Sequence, residues 1–239
     1  MTTIKTGCCG FPKGRKEYFR HFSLTEVQQT FYKMPKLETA TRWREEAPPD
    51  FEFTLKASQL ITHPYNSPTY RKAGIKPAPG KESNYGFFRP TEEVHQAWDQ
   101  TKLFAQALDC KLIVFQCPPS FTETPENIDN LRNFFKPLKE SGFTLVWEPR
   151  RGWTEETVKS LCEELGLIHC VDPMVSSPLY GKPRYFRLHG GTRYWHRYAE
   201  EELAQLKEIA TTGDTYVLFN NLNMFNDALA FKQLIEGNE

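Results

Sequence analysis

The sequence alternates between strand-like and helix-like segments along its whole length, and this alternation restricts the possible folds more than any other feature. Eight segments have the apolar or period-two patterns of strands: 4–10, 24–32, 51–58, 111–117, 144–148, 168–172, 184–189 and 215–221. Helical patterns lie at 36–47, 91–108, 127–139, 154–165, 200–210 and 226–235, with Thr154 and Gly166 as helix caps. Strands that alternate with helices indicate a parallel sheet, and eight of them in 239 residues predict an α/β fold, the TIM-type (β/α)8 barrel.

An open doubly wound sheet is the alternative architecture. Its dinucleotide-binding form has a GxGxxG turn after the first strand, whereas this chain has Gly7-Cys-Cys-Gly10 there. No Pro/Ser-rich linker or shift in composition divides the chain. Residues 1–239 are therefore predicted to form a single barrel domain.

Composition excludes several classes of protein. The 30 Lys and Arg residues balance 30 Asp and Glu, whereas a protein that coats nucleic acid needs a large positive excess. No apolar run approaches the ~20 residues of a membrane span, and the N-terminus lacks the apolar core of a signal peptide. The six cysteines form no CxxC pair, which favours buried thiols in a reducing compartment. We therefore expect a cytoplasmic protein with no membrane partner.

Polar residues follow several of the predicted strands, where TIM barrels have their functional sites. Those that we expect to line the site are Lys56, His63, Gln116, Glu148, Arg150, Arg187, His189, Asn220 and Asn221. On the seventh strand, Arg187 and His189 share the face opposite Phe186 and Leu188. Because the apolar face must meet the helices, we expect Arg187 and His189 to point into the barrel.

These residue types predict acid–base chemistry beside an anion site. Glu148 is the best general acid or base, since burial would raise its pKa and Arg187 would lower it. His189 is the second catalytic candidate. Arg150 and Arg187 could each bind a phosphate or carboxylate with a bidentate guanidinium. The alternative is a structural network in which Glu26 or Glu148 pairs with Lys56 or Arg187 and simply fills the barrel.

Two predicted loops are basic and aromatic. Segment 62–90 has five basic residues and one acidic residue, and segment 184–198 has four arginines and no acid. Basic residues interleaved with aromatic ones suit a phosphorylated ligand that bears a base or a sugar. The predicted partner is therefore a small anionic or phosphorylated molecule, with nucleic acid as an alternative. Solvated loops that happen to lack acids are the other interpretation.

A metal centre is less well supported. His63, Glu148, Asp172 and His189 are acceptable ligand types, but no HxH, HxxxH or HExxH spacing is present. Two arginines beside Glu148 would also oppose the binding of a cation. No cofactor is predicted, and a metal ion stays an alternative.

Six motifs together resemble the YecE-like family, domain of unknown function 72. They are Thr25–Tyr32, Phe53–Ser58 with Ile61–His63, Phe115–Pro119, Glu148–Trp153, Tyr185–Gly190 and Phe219–Asn221. The resemblance covers nearly the whole chain in order and implies a TIM-type barrel. The family's recurring polar residues match Glu26, Lys56, His63, Gln116, Glu148, Arg150, Arg187, His189, Asn220 and Asn221. The chain departs from the family at Gly7–Pro12, where bacterial members usually have a Gly-Thr-Ser-Gly-Trp-Ser-Tyr-like opening.

Three functions are compatible with these features, because the family has no established activity. The first is a hydrolase or lyase that acts on a sugar phosphate or phosphodiester, with Glu148 and His189 as catalytic residues. The second is a non-catalytic module that binds nucleotide or nucleic acid. The third is a metal-dependent hydrolase, since a likeness to abasic-site endonuclease barrels has been entertained for the family, although the metal-binding histidines of those enzymes are not evident. We favour the first.

Overall fold

The chain closes into a parallel barrel of eight strands in sequential order, β1 to β8. The computed structural model describes residues 2–191 and 195–237. The strands are β1 Ile4–Cys9, β2 Leu24–Val27, β3 Glu52–Lys56, β4 Leu112–Gln116, β5 Thr144–Glu148, β6 Ile168–Val171, β7 Arg184–Leu188 and β8 Thr215–Phe219. Pairing of β1 with β8 closes the barrel. The predicted TIM-type fold is confirmed.

Helices cover the outside of the barrel. They are α1 Arg15–Tyr18, α2 Gln29–Tyr32, α3 Leu37–Glu46, α4 Gln59–Thr62, α5 Pro68–Ala73, α6 Glu92–Ala107, α7 Pro125–Phe135, α8 Glu155–Leu165, α9 Glu200–Ala210 and α10 Met224–Glu236. Short 3-10 turns lie at Glu82–Asn84 and Lys136–Leu138. No helix among the described residues is both long enough and apolar enough to cross a membrane.

Alternation along each strand divides the buried side chains into two layers. On β7, Phe186 and Leu188 belong to the large apolar layer between strands and helices, whereas Tyr185 lies in the smaller cluster inside the barrel. This division follows from the period of two in a strand, which places successive side chains on opposite faces. It leaves Arg187 inside the barrel, as the sequence predicts.

Segment 24–32 is not one strand, contrary to the prediction. The strand ends at Val27, and Gln29–Tyr32 forms α2. Val27 pairs with Leu55 at the end of the shared register, so the chain must leave the barrel wall there. Val27 and Phe31 are four residues apart, a spacing that suits one face of a helix as well as one face of a strand. The alternation was therefore ambiguous.

Two further boundaries differ from the prediction. The stretch 62–90 is not wholly irregular, because it contains α5 and the 3-10 turn at Glu82–Asn84. The helix predicted over 127–139 begins at Pro125 and ends at Phe135, after which the chain tightens into the second 3-10 turn. Thr124 caps its first turn by accepting a hydrogen bond from the Asn127 amide at 3.1 Å.

Candidate functional site

A buried ionic cluster occupies the barrel interior beneath the carboxyl ends of the strands. The Arg187 guanidinium is fully buried between two carboxylates that come from different strands. Its Nε and Nη2 donate to Glu26 Oε2 at 3.1 Å and Oε1 at 2.8 Å, and its Nη1 donates to Glu148 Oε2. The guanidinium therefore joins β2, β5 and β7.

Glu26 is saturated with donors. Besides Arg187, its carboxylate accepts hydrogen bonds from the Tyr185 hydroxyl at 2.8 Å and from the Gln28 amide. The Tyr185 hydroxyl also lies 2.7 Å from Thr54 Oγ1. A buried carboxylate with this many partners has a structural role. For Glu26, the contacts therefore match the alternative of a structural network inside the barrel.

Glu148 stands between this network and the solvent. Its Oε1 lies 3.0 Å from His189 Nε2 and 3.1 Å from Arg150 Nη2. Burial alone raises the pKa of the Glu148 carboxyl, but the surrounding cations, Arg187 first and Arg150 second, together hold that pKa well below its usual range. Glu148 is therefore an ionised carboxylate in the free protein.

His189 is held in one orientation. Asn220 Nδ2 lies 3.1 Å from His189 Nδ1, and an amide NH2 group can only donate. Nδ1 is thus the acceptor, which leaves the ring proton on Nε2 for donation to Glu148. The His189 backbone amide donates to Asp172 Oδ2 at 2.9 Å, so Asp172 supports the same loop. Gln116 lies beside Glu148 because the two are paired in the register of β4 and β5.

Lys56 ends β3 and is the third cation of the site. Its Nζ lies 3.7 Å from the centroid of the Phe31 ring. In the described part of the chain, no carboxylate oxygen lies within 4.0 Å of this amine. Burial and then the charge of Arg187 lower the pKa of Lys56 to about 7, although Glu148 and Glu26 act in the opposite direction.

His63 contacts the same phenyl ring. Its ring meets Phe31 edge-on with centroids 4.9 Å apart, and its Nδ1 lies 2.7 Å from Thr62 Oγ1. Burial, followed by the charges of Lys56 and Arg150, lowers the pKa of His63 to about 3. His63 is therefore a neutral imidazole at physiological pH.

A left-handed turn fixes the backbone at His63. Gly86, Phe87 and Phe88 all have positive φ angles, of 78°, 56° and 53°. Their amides donate to three successive carbonyls at the end of α4, and Phe88 is fully buried against the outer apolar layer. A Cβ on Gly86 would lie 2.2 Å from the His63 carbonyl oxygen, so only glycine permits this approach.

The other predicted site residues are placed differently. Asn221 is fully buried, and its amide donates to Asp227 Oδ2 at 2.6 Å and to the His196 carbonyl at 2.7 Å. It therefore ties the loop after β7 to α10. Arg187 has no solvent exposure, so Arg150, whose side chain is 32% exposed, is the arginine at the mouth of the barrel.

The arginines of segment 184–198 are not gathered at the mouth of the barrel, although the sequence suggested one basic loop. Arg184 begins β7 at the opposite end of the barrel, where its guanidinium donates to carbonyls of the 209–213 segment. Arg187 is neutralised inside the barrel, Arg197 is exposed, and Arg193 lies outside the described residues. In segment 62–90, Lys81 forms an ion pair with Glu93 at 2.6 Å.

Sequence reasoning missed the role of Phe31. The predicted strand over 24–32 included Phe31. That prediction gave no indication that the Phe31 ring contacts both the Lys56 amine and the His63 ring. The spacing of four residues between Val27 and Phe31 is the signal that a helical interpretation would have used.

The donor set does not fit a metal ion. Within residues 2–191 and 195–237, no three His, Cys, Asp or Glu side chains gather in a group that could hold one. Glu148 is already neutralised by Arg187 and Arg150, and both ring nitrogens of His189 are engaged. Guanidinium groups occupy the positions around the carboxylate from which a divalent cation would approach.

Comparison with known proteins agrees with the fold and the motifs. The family model for a protein of unknown function, DUF72, matches residues 12–238. UPF0759 protein YunF of Bacillus subtilis is 25% identical over 266 residues, which covers 94% of this chain and 86% of YunF. A solved DUF72 family protein from Thermotoga maritima is 24% identical with a TM-score of 0.67, covering 98% of this chain and 99% of the other.

A more distant likeness concerns the fold alone. An AP endonuclease of family 2 from Brucella melitensis is 14% identical with a TM-score of 0.58, and the match covers 99% of both chains. The family-model match spans almost the whole barrel, and the motifs that it includes supply the ionic cluster described above. The chain belongs to the DUF72 family, the YecE-like family of TIM-barrel proteins without an established activity.

Proposed function

We propose that this protein is an enzyme that acts on a small phosphate-bearing substrate, a sugar phosphate or a phosphodiester, at the carboxyl end of the barrel. The observation that carries the proposal is an ionised, buried carboxylate, Glu148, in contact with a partly exposed guanidinium, Arg150. A guanidinium with a free edge is a good phosphate ligand, and a carboxylate beside it is a proton acceptor.

The charge of the cluster favours an anion. Three cationic groups, Arg150, Arg187 and protonated Lys56, surround the two carboxylates of Glu26 and Glu148. The cluster thus has one excess positive charge when Lys56 is protonated. A phosphate bound at Arg150 would be attracted by this excess charge in a site of low dielectric constant.

Binding of a phosphate also changes Glu148. An anion that engages Arg150 weakens the ion pair between Arg150 and Glu148, and the pKa of Glu148 then rises toward values that suit proton transfer. His189 keeps Oε1 of Glu148 in place through its Nε2, and Asn220 fixes the ring. In this mechanism Glu148 accepts or returns the proton, and His189, whose ring proton is donated to Glu148, acts on the reaction through that carboxylate. Lys56, His63 and Gln116 line the substrate site, whereas Asn221 supports it from behind.

Replacement of Glu148 tests the proposal. We expect Glu148→Gln to lower turnover of a phosphate-ester substrate by at least ~100-fold, because a primary amide cannot accept the proton. The measurement is a screen of sugar phosphates and nitrophenyl phosphate mono- and diesters, followed by kcat and KM for the best substrate. Circular dichroism checks that the variant is folded, since Arg187 loses one carboxylate partner.

Two arginine variants serve as matched controls for binding. Arg150→Met should abolish the rise in Tm that inorganic phosphate gives to the natural protein. Arg151→Met should retain it, because the neighbouring Arg151 is exposed. Undiminished turnover by Glu148→Gln, or equal phosphate binding by both arginine variants, contradicts the proposal.

A further inference from the structure

Lys56 is a buried amine without an ionic partner. Arg150 and Arg187, the other cations of the site, both contact Glu148. The Lys56 Nζ instead faces the Phe31 ring at 3.7 Å, and it makes no hydrogen bond to any described residue. A lysine whose only role is structural charge pairing would be expected to contact a carboxylate.

A small part of the Lys56 side chain is accessible to solvent. The residue is 6% exposed. Lys56 is the last residue of β3, on the end of the barrel where Glu148 closes β5. Lys56 therefore lies at the same end of the barrel as Glu148 and as Arg150, which contacts Glu148.

The surroundings favour the neutral, nucleophilic form of this amine. Burial and the charge of Arg187 lower the pKa of Lys56 to about 7, while Glu148, Glu26 and Cys9 raise it to a smaller extent. A lysine that is desolvated by burial and lies beside a second cation is a recognised type of activated nucleophile. Neutral His63, which also contacts Phe31, adds no charge to the pocket.

We propose that Lys56 forms a Schiff base with the open-chain carbonyl group of an aldehyde or ketone that bears a phosphate. This inference rests on the proposed function for the anion site and narrows its substrate to a sugar phosphate. The reaction is then a lyase or isomerase reaction rather than the hydrolysis of a diester.

The Schiff base forms through a carbinolamine. The Nζ lone pair attacks the carbonyl carbon, a proton moves from nitrogen to the former carbonyl oxygen, and a carbinolamine results. A second proton, from solvent, lets that oxygen leave as water while the C=N bond forms, which gives the protonated Schiff base. Glu148 is the carboxylate beside this site that could then accept a proton from the adjacent carbon. Water reverses the sequence, so no oxidant or reductant is needed.

Reductive trapping tests the Schiff base. The full-length protein is incubated with glyceraldehyde 3-phosphate or with glyceraldehyde, in the presence of cyanoborohydride, which converts the imine into a stable secondary amine. Peptide mass spectrometry then measures the adduct at each lysine. At pH 7 we expect Lys56 to react on the order of 100-fold faster than exposed Lys111, because an ordinary lysine is almost fully protonated there. The rate at Lys56 should rise with pH through about 7 and then level off.

Variants make the outcome specific. Lys56→Met and Lys56→Arg should both lose the fast adduct, and Lys111→Met should keep it. A Lys56 rate no higher than that of Lys111 in the natural protein overturns the Schiff base without reference to any variant's folding.

The two probes separate this inference from the proposed function. Fast trapping of the phosphorylated aldehyde that is weakened in Arg150→Met supports both. Fast trapping of both probes at equal rates, unaffected by Arg150→Met, supports the Schiff base and counts against the phosphate site. Phosphate binding that depends on Arg150, with no fast trapping of either probe, overturns the Schiff base alone.

Discussion

At the scale of single residues, the barrel interior depends on how three cations share two carboxylates. Arg187 has both carboxylates, Arg150 has one, and Lys56 has neither. A buried guanidinium between two acids is well compensated, whereas a buried ammonium over a phenyl ring is only weakly stabilised. Of the three cations, the lysine is therefore the one whose burial costs stability.

Lys56 gives a pH-dependent stability prediction. The folded state lowers its pKa to about 7, so the unfolded state binds one more proton between about pH 7 and pH 10.5. The destabilisation is complete below pH 7 and fades as the pH rises. We expect Lys56→Met to raise the free energy of unfolding, and to do so by about 2 kcal/mol more at pH 7.5 than at pH 9.5. Urea denaturation at both pH values measures this difference, with Lys111→Met as the exposed control. An effect of the same size at both pH values would contradict it.

Most residues of the candidate site could be predicted from the sequence. Which of them are paired inside the barrel and which are exposed could not be predicted. Period-two alternation is enough to turn Arg187 and Glu148 inward. Which arginine is saturated and which is exposed depends on Glu26, a residue more than a hundred positions away from Arg187 in the chain. The burial of Asn221 likewise depends on Asp227 in α10.

At the scale of elements, most strand and helix positions were predictable because each repeats one local pattern. The prediction of one strand over 24–32 was wrong for a physical reason. Val27 and Phe31 are four residues apart, and at that spacing two apolar residues share a face in a strand and in a helix alike. The turn at Gly86–Phe88 could not be predicted, because nothing local requires two phenylalanines with positive φ. Tertiary contacts of Phe88 with the outer apolar layer impose that backbone.

Gly86 makes this turn testable. Gly86→Ala should lower the free energy of unfolding by more than about 2 kcal/mol, because a Cβ there would meet the His63 backbone at 2.2 Å and the positive φ adds strain. Gly74 is a matched control, since its φ of 67° is similar but a Cβ would meet nothing within 4 Å. Gly74→Ala should cost about 1 kcal/mol. Equal losses for the two variants in denaturant titrations would show that the contact with His63 is unimportant.

At the scale of the whole molecule, the net charge of zero does not show where the basic side chains lie in the fold. In the arginine-rich segment 184–198, Arg184 lies at the end of the barrel opposite the candidate site, and Arg187 is buried inside the barrel. Lys81 in the other basic segment is paired with Glu93. Arg184, Arg187 and Lys81 are thus not free to contribute to a basic face of the kind that follows a nucleic-acid backbone.

Binding to nucleic acid should therefore be weak. We expect no binding of a 20-nucleotide single strand or a 20-base-pair duplex tighter than about 10 µM at 150 mM salt, because few phosphates can be contacted at once. Fluorescence anisotropy across a series of salt concentrations measures both affinity and its salt dependence. Submicromolar affinity that falls steeply with salt would instead favour the nucleic-acid module.

The position of Arg187 also bears on whether the barrel can be divided. Glu26 belongs to the first four strands, whereas Arg187 and Glu148 belong to the last four. A fragment of β1–β4 would hold a carboxylate without its cation, and a fragment of β5–β8 would hold the guanidinium with only half of its partners. Charge compensation inside the barrel thus couples the two halves of the chain, and it favours the complete ring of strands over either half-barrel.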